Sequence, residues 1–286
     1  MKLLLRVTTL AALFYLFIFN LQAQPQRYNK YNWANDYDSS SALINHIPLP
    51  AGYKRTAVEA NSYADWLRHL PVKDGRKTAY TYDGRPAMTA DVVFAVLDID
   101  IGTKDLQQCA DAIIRLHAEY LYALGKYRDI KYKFTSGDIS RFHDWINGYR
   151  PLVENGNKVS WTKSEKIDSS YKSFRGYLEN IFMYAGTFSL EKEMDSIKSY
   201  GSIQIGDALI LPGFPGHAVM VADIVFSKES GERSYLFIQG YTPAQDIHVI
   251  KNPSRQDGLP WFELKANQNL QIMHWIFDEN NIRRFK

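Results

Sequence analysis

Hydrophobic and polar positions change rhythm several times along the chain. The first stretch is apolar from Thr8 to Phe19, behind Lys2 and Arg6 and ahead of Asn20-Leu21-Gln22-Ala23. A basic start, a short apolar core and a small residue before a polar segment are the parts of a cleavable leader, with Ala23 the last residue removed. The core is shorter than the roughly 20 apolar residues that a membrane span needs. Residues 24–43 are polar and aperiodic, which predicts a flexible N-terminal segment ahead of a single domain over 44–286.

Within that domain the spacing of Tyr63, Trp66, Leu67 and Leu70 predicts a helix ended by Pro71. The β-branched run from Ala90 to Ile101 predicts a strand or a short buried segment. The strongest helical pattern follows. Thr103 is its expected N-cap and Asp105 its acidic first turn, while Leu106, Cys109, Ala110, Ile113, Leu116 and Leu121 share one face until Gly125. Residues 128–163 read as looser connections, and Ser170 to Ala185 as a second amphipathic helix. The last third alternates differently. Short apolar runs at 208–211, 218–226, 235–240 and 248–250, with a polar turn over 228–232, predict an antiparallel sheet. Helices followed by a run of strands make an α+β domain the expected class.

Composition narrows the picture. A 45% hydrophobic and 14% aromatic chain can fill a core, and 34 basic against 31 acidic residues, mixed along the sequence, leave no footprint for nucleic acid. No later segment is long and apolar enough to cross a bilayer. The mature chain is therefore expected in the periplasm or outside the cell, without stable membrane insertion after leader cleavage. One cysteine, Cys109, excludes an internal disulfide and a cysteine-ligated structural zinc site. No metal or other cofactor is called for. A lone thiol outside the cytoplasm is either packed as a small inert hydrophobe or kept for its reactivity.

The richest local signal is Gly206-Asp207-Ala208-Leu209-Ile210-Leu211, a Gly/Pro-rich loop, and Gly216-His217-Ala218-Val219. It sets a histidine at the start of a strand, and Gln239 on the next strand falls where it can orient the ring. A thiol near a helix N-terminus, beside an imidazole, can be drawn off as thiolate near neutral pH. Gln108 and Gln107 are the local candidates for an oxyanion donor. Tyr241, Gln245 and Asp246 form a polar-aromatic loop next to Gln239, either lining a cleft or making a tight connection stiffened by Pro243. Asp98 and Asp100 could act as a carboxylate pair, though alternation on a half-buried strand accounts for them more cheaply.

The Gly-Asp-strand-loop-Gly-His-strand stretch, with Gln108-Cys109 upstream, resembles the papain-like NlpC/P60 and CHAP cysteine hydrolases. That resemblance implies a papain-like core of one helix on an antiparallel sheet. It also implies Cys109 as nucleophile, His217 as base, Gln239 as orienting group and Gln108 beside the oxyanion, acting on an amide bond of a cell-wall peptide. The alternative is a non-catalytic module on the same fold that binds envelope polymer or protein. Taken together, Asp105-Leu106-Gln107-Gln108-Cys109-Ala110-Asp111-Ala112, Tyr184-Ala185-Gly186-Thr187, Gly216-His217-Ala218-Val219 and Pro243-Ala244-Gln245-Asp246-Ile247-His248-Val249 resemble the bacterial family labelled domain of unknown function 4846. The label implies no activity.

Overall fold

In the computed structural model the described residues are 31–34, 36–155 and 157–286, so the expected leader lies outside them. Order reaches further towards the N-terminus than the polar pattern of residues 24–43 suggests. Tyr31 is buried, donates its hydroxyl to the Trp66 carbonyl at 2.8 Å, and packs with Trp33, Tyr37 and Trp66. Aromatic side chains pin this segment where periodicity is silent.

In chain order the elements begin with α1 (Leu43–His46), β1 (Tyr53–Arg55), α2 (Tyr63–Arg68), β2 (Val93–Val96) and α3 (Cys109–Ala123). Next come β3 (Lys131–Lys133), β4 (Ile139–Arg141), α4 (Phe142–Ile146), β5 (Tyr149–Glu154) and β6 (Lys158–Lys163). Two helices follow, α5 (Tyr171–Tyr184) and α6 (Thr187–Glu193). The rest is strand: β7 (Asp195–Ser196), β8 (Ala208–Leu211), β9 (His217–Ser227), β10 (Arg233–Gln239) and β11 (His248–Ile250), then β12 (Trp261–Glu263), β13 (Leu270–Ile272), β14 (Trp275–Phe277) and β15 (Ile282–Arg284).

The central sheet runs β2-β11-β10-β9-β8-β15-β7, with β1 also on β9 and β12 on β10, and every pairing is antiparallel. Both faces are covered. Ala218, Met220, Ala222, Leu236 and Ile238 face a cluster that includes Ala112, Ile113 and Leu116 of α3 and Phe174 and Leu178 of α5. The alternate residues Val219, Val221, Tyr235 and Phe237 face a second cluster with Phe262, Ile272 and Phe277. Two-sided burial explains why β9 reads as a nearly unbroken apolar run. Asp223 interrupts that run. Its Oδ1 accepts from Arg68 Nε at 2.8 Å and from Nη2 at 2.6 Å, and Arg55 lies 3.2 Å from Oδ2, so α2 and β1 are tied to the sheet through one buried carboxylate.

The helix over Tyr171–Tyr184, capped by Ser170, and the strands at 208–211, 217–227, 233–239 and 248–250 agree with the sequence patterns. Three expectations are corrected. The helix expected from Thr103 starts at Cys109, because Asp111 accepts from the Gln108 amide at 3.0 Å and Asp105 is drawn off to the Ala244 amide at 2.7 Å. The stretch 128–163 is two β-hairpins around α4, the second turning at Asn155 with φ of 51°. The run from Ala90 to Ile101 is strand only over Val93–Val96. Asp98 and Asp100 follow it as exposed residues, Asp100 bonded to Arg115 and Arg175.

Candidate functional site

Starting the helix at Cys109 moves the thiol to the first helical residue, where the N–H groups of the first turn have no helical partners. The side chain borders a cleft of about 510 Å³. Gln108 and Asp111 lie on the same side of this cleft, Phe182, Met183 and Thr187 on another, and the 213–216 loop with Thr242 closes it. Met183 and Phe214 stand exposed at its edge.

Two glycines shape the approach of strand to helix. A Cβ on Gly240, just past β10, would lie 2.8 Å from the Gln108 carbonyl oxygen and 3.0 Å from Ala112 Cβ, so glycine lets the end of β10 reach the start of α3. A Cβ on Gly216 would meet Thr187 Oγ1 at 2.2 Å and the Leu211 carbonyl oxygen at 2.6 Å. That contact closes the loop on α6, where Thr187 Oγ1 also accepts from the Gly213 amide at 3.3 Å. The Gly206-Asp207 pair serves the fold instead. Gly206 has φ of 96°, and Asp207 holds Arg284 of the C-terminal strand through bonds of 2.6 and 2.7 Å.

Burial pushes the Cys109 thiol up to about 11 and the neighbouring Asp111 adds to this, while the backbone amides of Ala110, Ala218 and Cys109 pull the other way. Asp111 is itself pushed up to about 8 by burial, against the Gln108 and Asp111 amides. His217 is only 1% exposed, and burial brings its imidazole down to about 4. Both members of the expected pair rest neutral.

The structure brings His217 and Gln239 together and adds a residue that sequence reasoning passed over as an ordinary strand position. Gln239 Oε1 lies 2.8 Å from His217 Nε2, Gln239 Nε2 lies 3.0 Å from His248 Nε2, and His248 Nδ1 lies 3.0 Å from the Asp246 carbonyl oxygen. The register explains the link, since Gln239 pairs directly with His248 across β10 and β11. Trp275 stacks on the His217 ring at 5.1 Å and Tyr241 meets it edge-on at 5.1 Å. The ring sits with Phe277 on the Val219 side of β9, whereas α3 packs on the other side. No hydrogen bond joins the Cys109 thiol to His217 in this conformation. The amide of Ala218, the residue after His217, is nevertheless among the groups acting on the sulfur.

The other expected residues fall as follows. Gln108 lines the cleft with its side chain engaged at both ends, Nε2 donating to Asp105 at 3.1 Å and Oε1 accepting from Thr242 at 3.0 Å. Gln107 turns inward, is only 1% exposed and lies outside the cleft lining, with its Oε1 accepting from Arg115 at 3.0 Å. Tyr241, Gln245 and Asp246 do not line this cleft. Tyr241 covers His217, Gln245 is buried with its amide on Thr89, and Asp246 holds Lys73 at 2.9 Å and the Tyr80 amide at 2.9 Å. From the same loop it is Thr242 that borders the cleft. Thr187 and Asp111 were missed as well. The Gly186-Thr187 and Cys109-Ala110-Asp111 stretches carry them, but only the folded chain sets α6 opposite α3.

Among the described residues no group of three or more His, Cys, Asp or Glu side chains could hold a metal ion, and no helix is long and apolar enough to cross a membrane. No curated protein and no solved structure matches the chain. One protein-family model does, over residues 43–284, and the chain belongs to that family, described as Domain of unknown function (4846).

Proposed function

We propose that this chain is an exported cysteine-dependent amide hydrolase with a papain-like arrangement of helix and sheet, acting on a peptide of the cell envelope. The observation that carries the reading is the position of Cys109: first residue of a 15-residue helix, bordering a cleft though only 7% exposed, with the amides of Cys109, Ala110 and Ala218 acting on its sulfur. Amides that favour a thiolate also suit the oxyanion of a tetrahedral intermediate.

In this reading Cys109 Sγ attacks the substrate carbonyl carbon while its proton passes to His217 Nδ1, the ring nitrogen left free by Gln239. The proton then goes to the leaving amine as the C–N bond breaks. Water, deprotonated at the same nitrogen, cleaves the thioester and returns the thiol. Both groups rest neutral and are not bonded to each other, and the His217 ring lies on the face of β9 away from α3 and outside the cleft lining. In this reading the start of β9 must therefore turn the ring towards Cys109 in the substrate complex before the first proton moves. The cleft has no Lys, Arg or His in its lining and carries Asp105 and Asp111 beside Phe182, Met183 and Phe214, which suits an apolar or basic peptide segment better than an acidic one.

The same resting state favours a second reading, a non-catalytic module that binds envelope polymer or peptide in the cleft. Cleavage of solubilised cell-wall peptide by wild type, Cys109→Ala and His217→Ala separates the two. The hydrolase reading expects cleavage that Cys109→Ala abolishes and His217→Ala slows by about 100-fold or more, in the range of general-base contributions. Peptide bound by all three proteins and cleaved by none would leave the binding reading.

A further inference from the structure

We propose that His248 is a positioning residue for His217: by holding the Gln239 carboxamide in one orientation, it keeps the His217 proton on Nε2 and leaves Nδ1 as the free base. The inference deepens the reading of Cys109 and His217 as a hydrolytic pair, but the tautomer it assigns is a property of the resting chain. It can be measured without any substrate.

A backbone carbonyl can only accept, so His248 Nδ1, 3.0 Å from the Asp246 oxygen, must carry a proton and donate. A neutral imidazole has one N–H, so His248 Nε2 is left as an acceptor. The group facing it at 3.0 Å must then be the NH₂ of Gln239 rather than its oxygen. That choice turns Oε1 towards His217 Nε2 at 2.8 Å, and an amide oxygen there requires an N–H from the ring. The proton of His217 is thereby assigned to Nε2.

The other partner of the carboxamide favours the same orientation only weakly: Gln239 Nε2 also donates to Met273 Sδ at 3.8 Å, and a thioether is a poor acceptor, so without His248 a carboxamide reversed end for end fits the same space at little cost. Reversed, it would present NH₂ to His217 and drive that proton to Nδ1, the wrong nitrogen for accepting one from Cys109. All three side chains are at most 1% exposed, so water cannot substitute for a lost partner. Burial holds both histidines at about 4, which keeps each a one-proton ring at neutral pH. Burial dominates at both rings and His274 and His248 add to it at His217, while the Gln239 bond at His217 and the carbonyl and carboxylate of Asp246 at His248 act the other way without overcoming it.

The test is a long-range ¹H–¹⁵N correlation spectrum of the full chain with ¹⁵N-labelled histidine, at neutral pH. Wild type should show His217 as the Nε2–H tautomer and His248 as the opposite, Nδ1–H tautomer. His248→Phe should give a His217 signal averaged between tautomers or switched to Nδ1–H. His248→Gln, whose amide oxygen reaches about as far as Nε2, should restore the wild-type form. Gln239→Glu offers only acceptors, so it should keep His217 on Nε2–H while making His248 doubly protonated at neutral pH. If His248→Phe does not fold, His248→Leu, which likewise offers Gln239 no acceptor, decides the matter by the same signal. An Nδ1–H His217 in wild type, or a His217 tautomer indifferent to His248→Phe in a folded protein, overturns the assignment. These results stand apart from the cleavage experiment. No cleavage by wild type with the expected tautomers overturns the hydrolase reading alone.

Discussion

The two carboxylates with most to lose are buried for opposite purposes. Asp223 is charged and paired, while Asp111 is pushed towards its neutral form. Asp223→Ala should leave Arg68 and Arg55 without their shared acceptor, since the Arg68 contacts of 2.6 and 2.8 Å both end on it. Removing one partner of a buried pair costs roughly 3–5 kcal/mol, and urea denaturation should show that loss. Asp111→Asn should do something different. Its neighbour's charge helps to raise the Cys109 thiol, so removing that charge should lower the thiol pKa and speed alkylation at pH 8 and above several-fold, with the backbone acceptor for Gln108 kept on the remaining oxygen. An alkylation profile that does not move would mean that burial alone governs the sulfur. These roles were only partly legible in the sequence. Cys109 and His217 stood out as a lone thiol and a histidine opening a strand, but nothing near Asp111 indicated a buried carboxyl. Its burial depends on residues distant in sequence closing over the start of α3.

At the level of elements, the join between β10 and α3 rests on Gly240. Gly240→Ala would place a methyl 2.8 Å from the Gln108 carbonyl oxygen, and a backbone atom cannot swing aside as a long side chain can. The expected cost is about 1–3 kcal/mol, as in overpacked cores, together with a displaced N-terminus of α3 and reduced labelling of Cys109. Gly240→Ser should behave alike, and thermal melting alongside alkylation rates checks both. Elements built from local contacts were the readable ones. Ser170 and the apolar face through Phe174, Leu178 and Ile181 announce α5, and the β-branched runs announce β8 to β11. The start of α3 was not readable in the same way, because Asp105 could cap a helix or hold a loop with equal local chemistry. Its bond to the Ala244 amide, 139 residues away, settled the matter.

For the whole molecule, buried titratable groups set opposing limits on stability with pH. Burial brings His117 down to about 3 and His217 and His248 to about 4. Unfolded histidine titrates near 6.5, so between about 4 and 6.5 the unfolded chain binds more protons and stability rises with pH. Asp111 and Glu193, raised to about 8 and 7, act in the other direction: the folded chain keeps protons that the unfolded chain has released above about 4, and this contribution is lost as pH rises through 7 and 8. Three histidines outweigh two carboxyls on the acid side. Thermal melts from pH 4 to 9 should therefore peak between about 6 and 7, and Asp111→Asn should flatten the alkaline limb. A monotonic rise through pH 9 in wild type would contradict the buried, protonated Asp111. By itself the sequence determined the α+β class, the main helices and strands, the lone thiol and the likeness to its family, because periodicity and composition are local and additive along the chain. Only the tertiary structure decided that Cys109 opens its helix beside a cleft, that Gln245 and Asp246 serve the fold, and that His248 joins His217 through Gln239. Those outcomes depend on strand register and close backbone approach between distant segments, which no local pattern encodes.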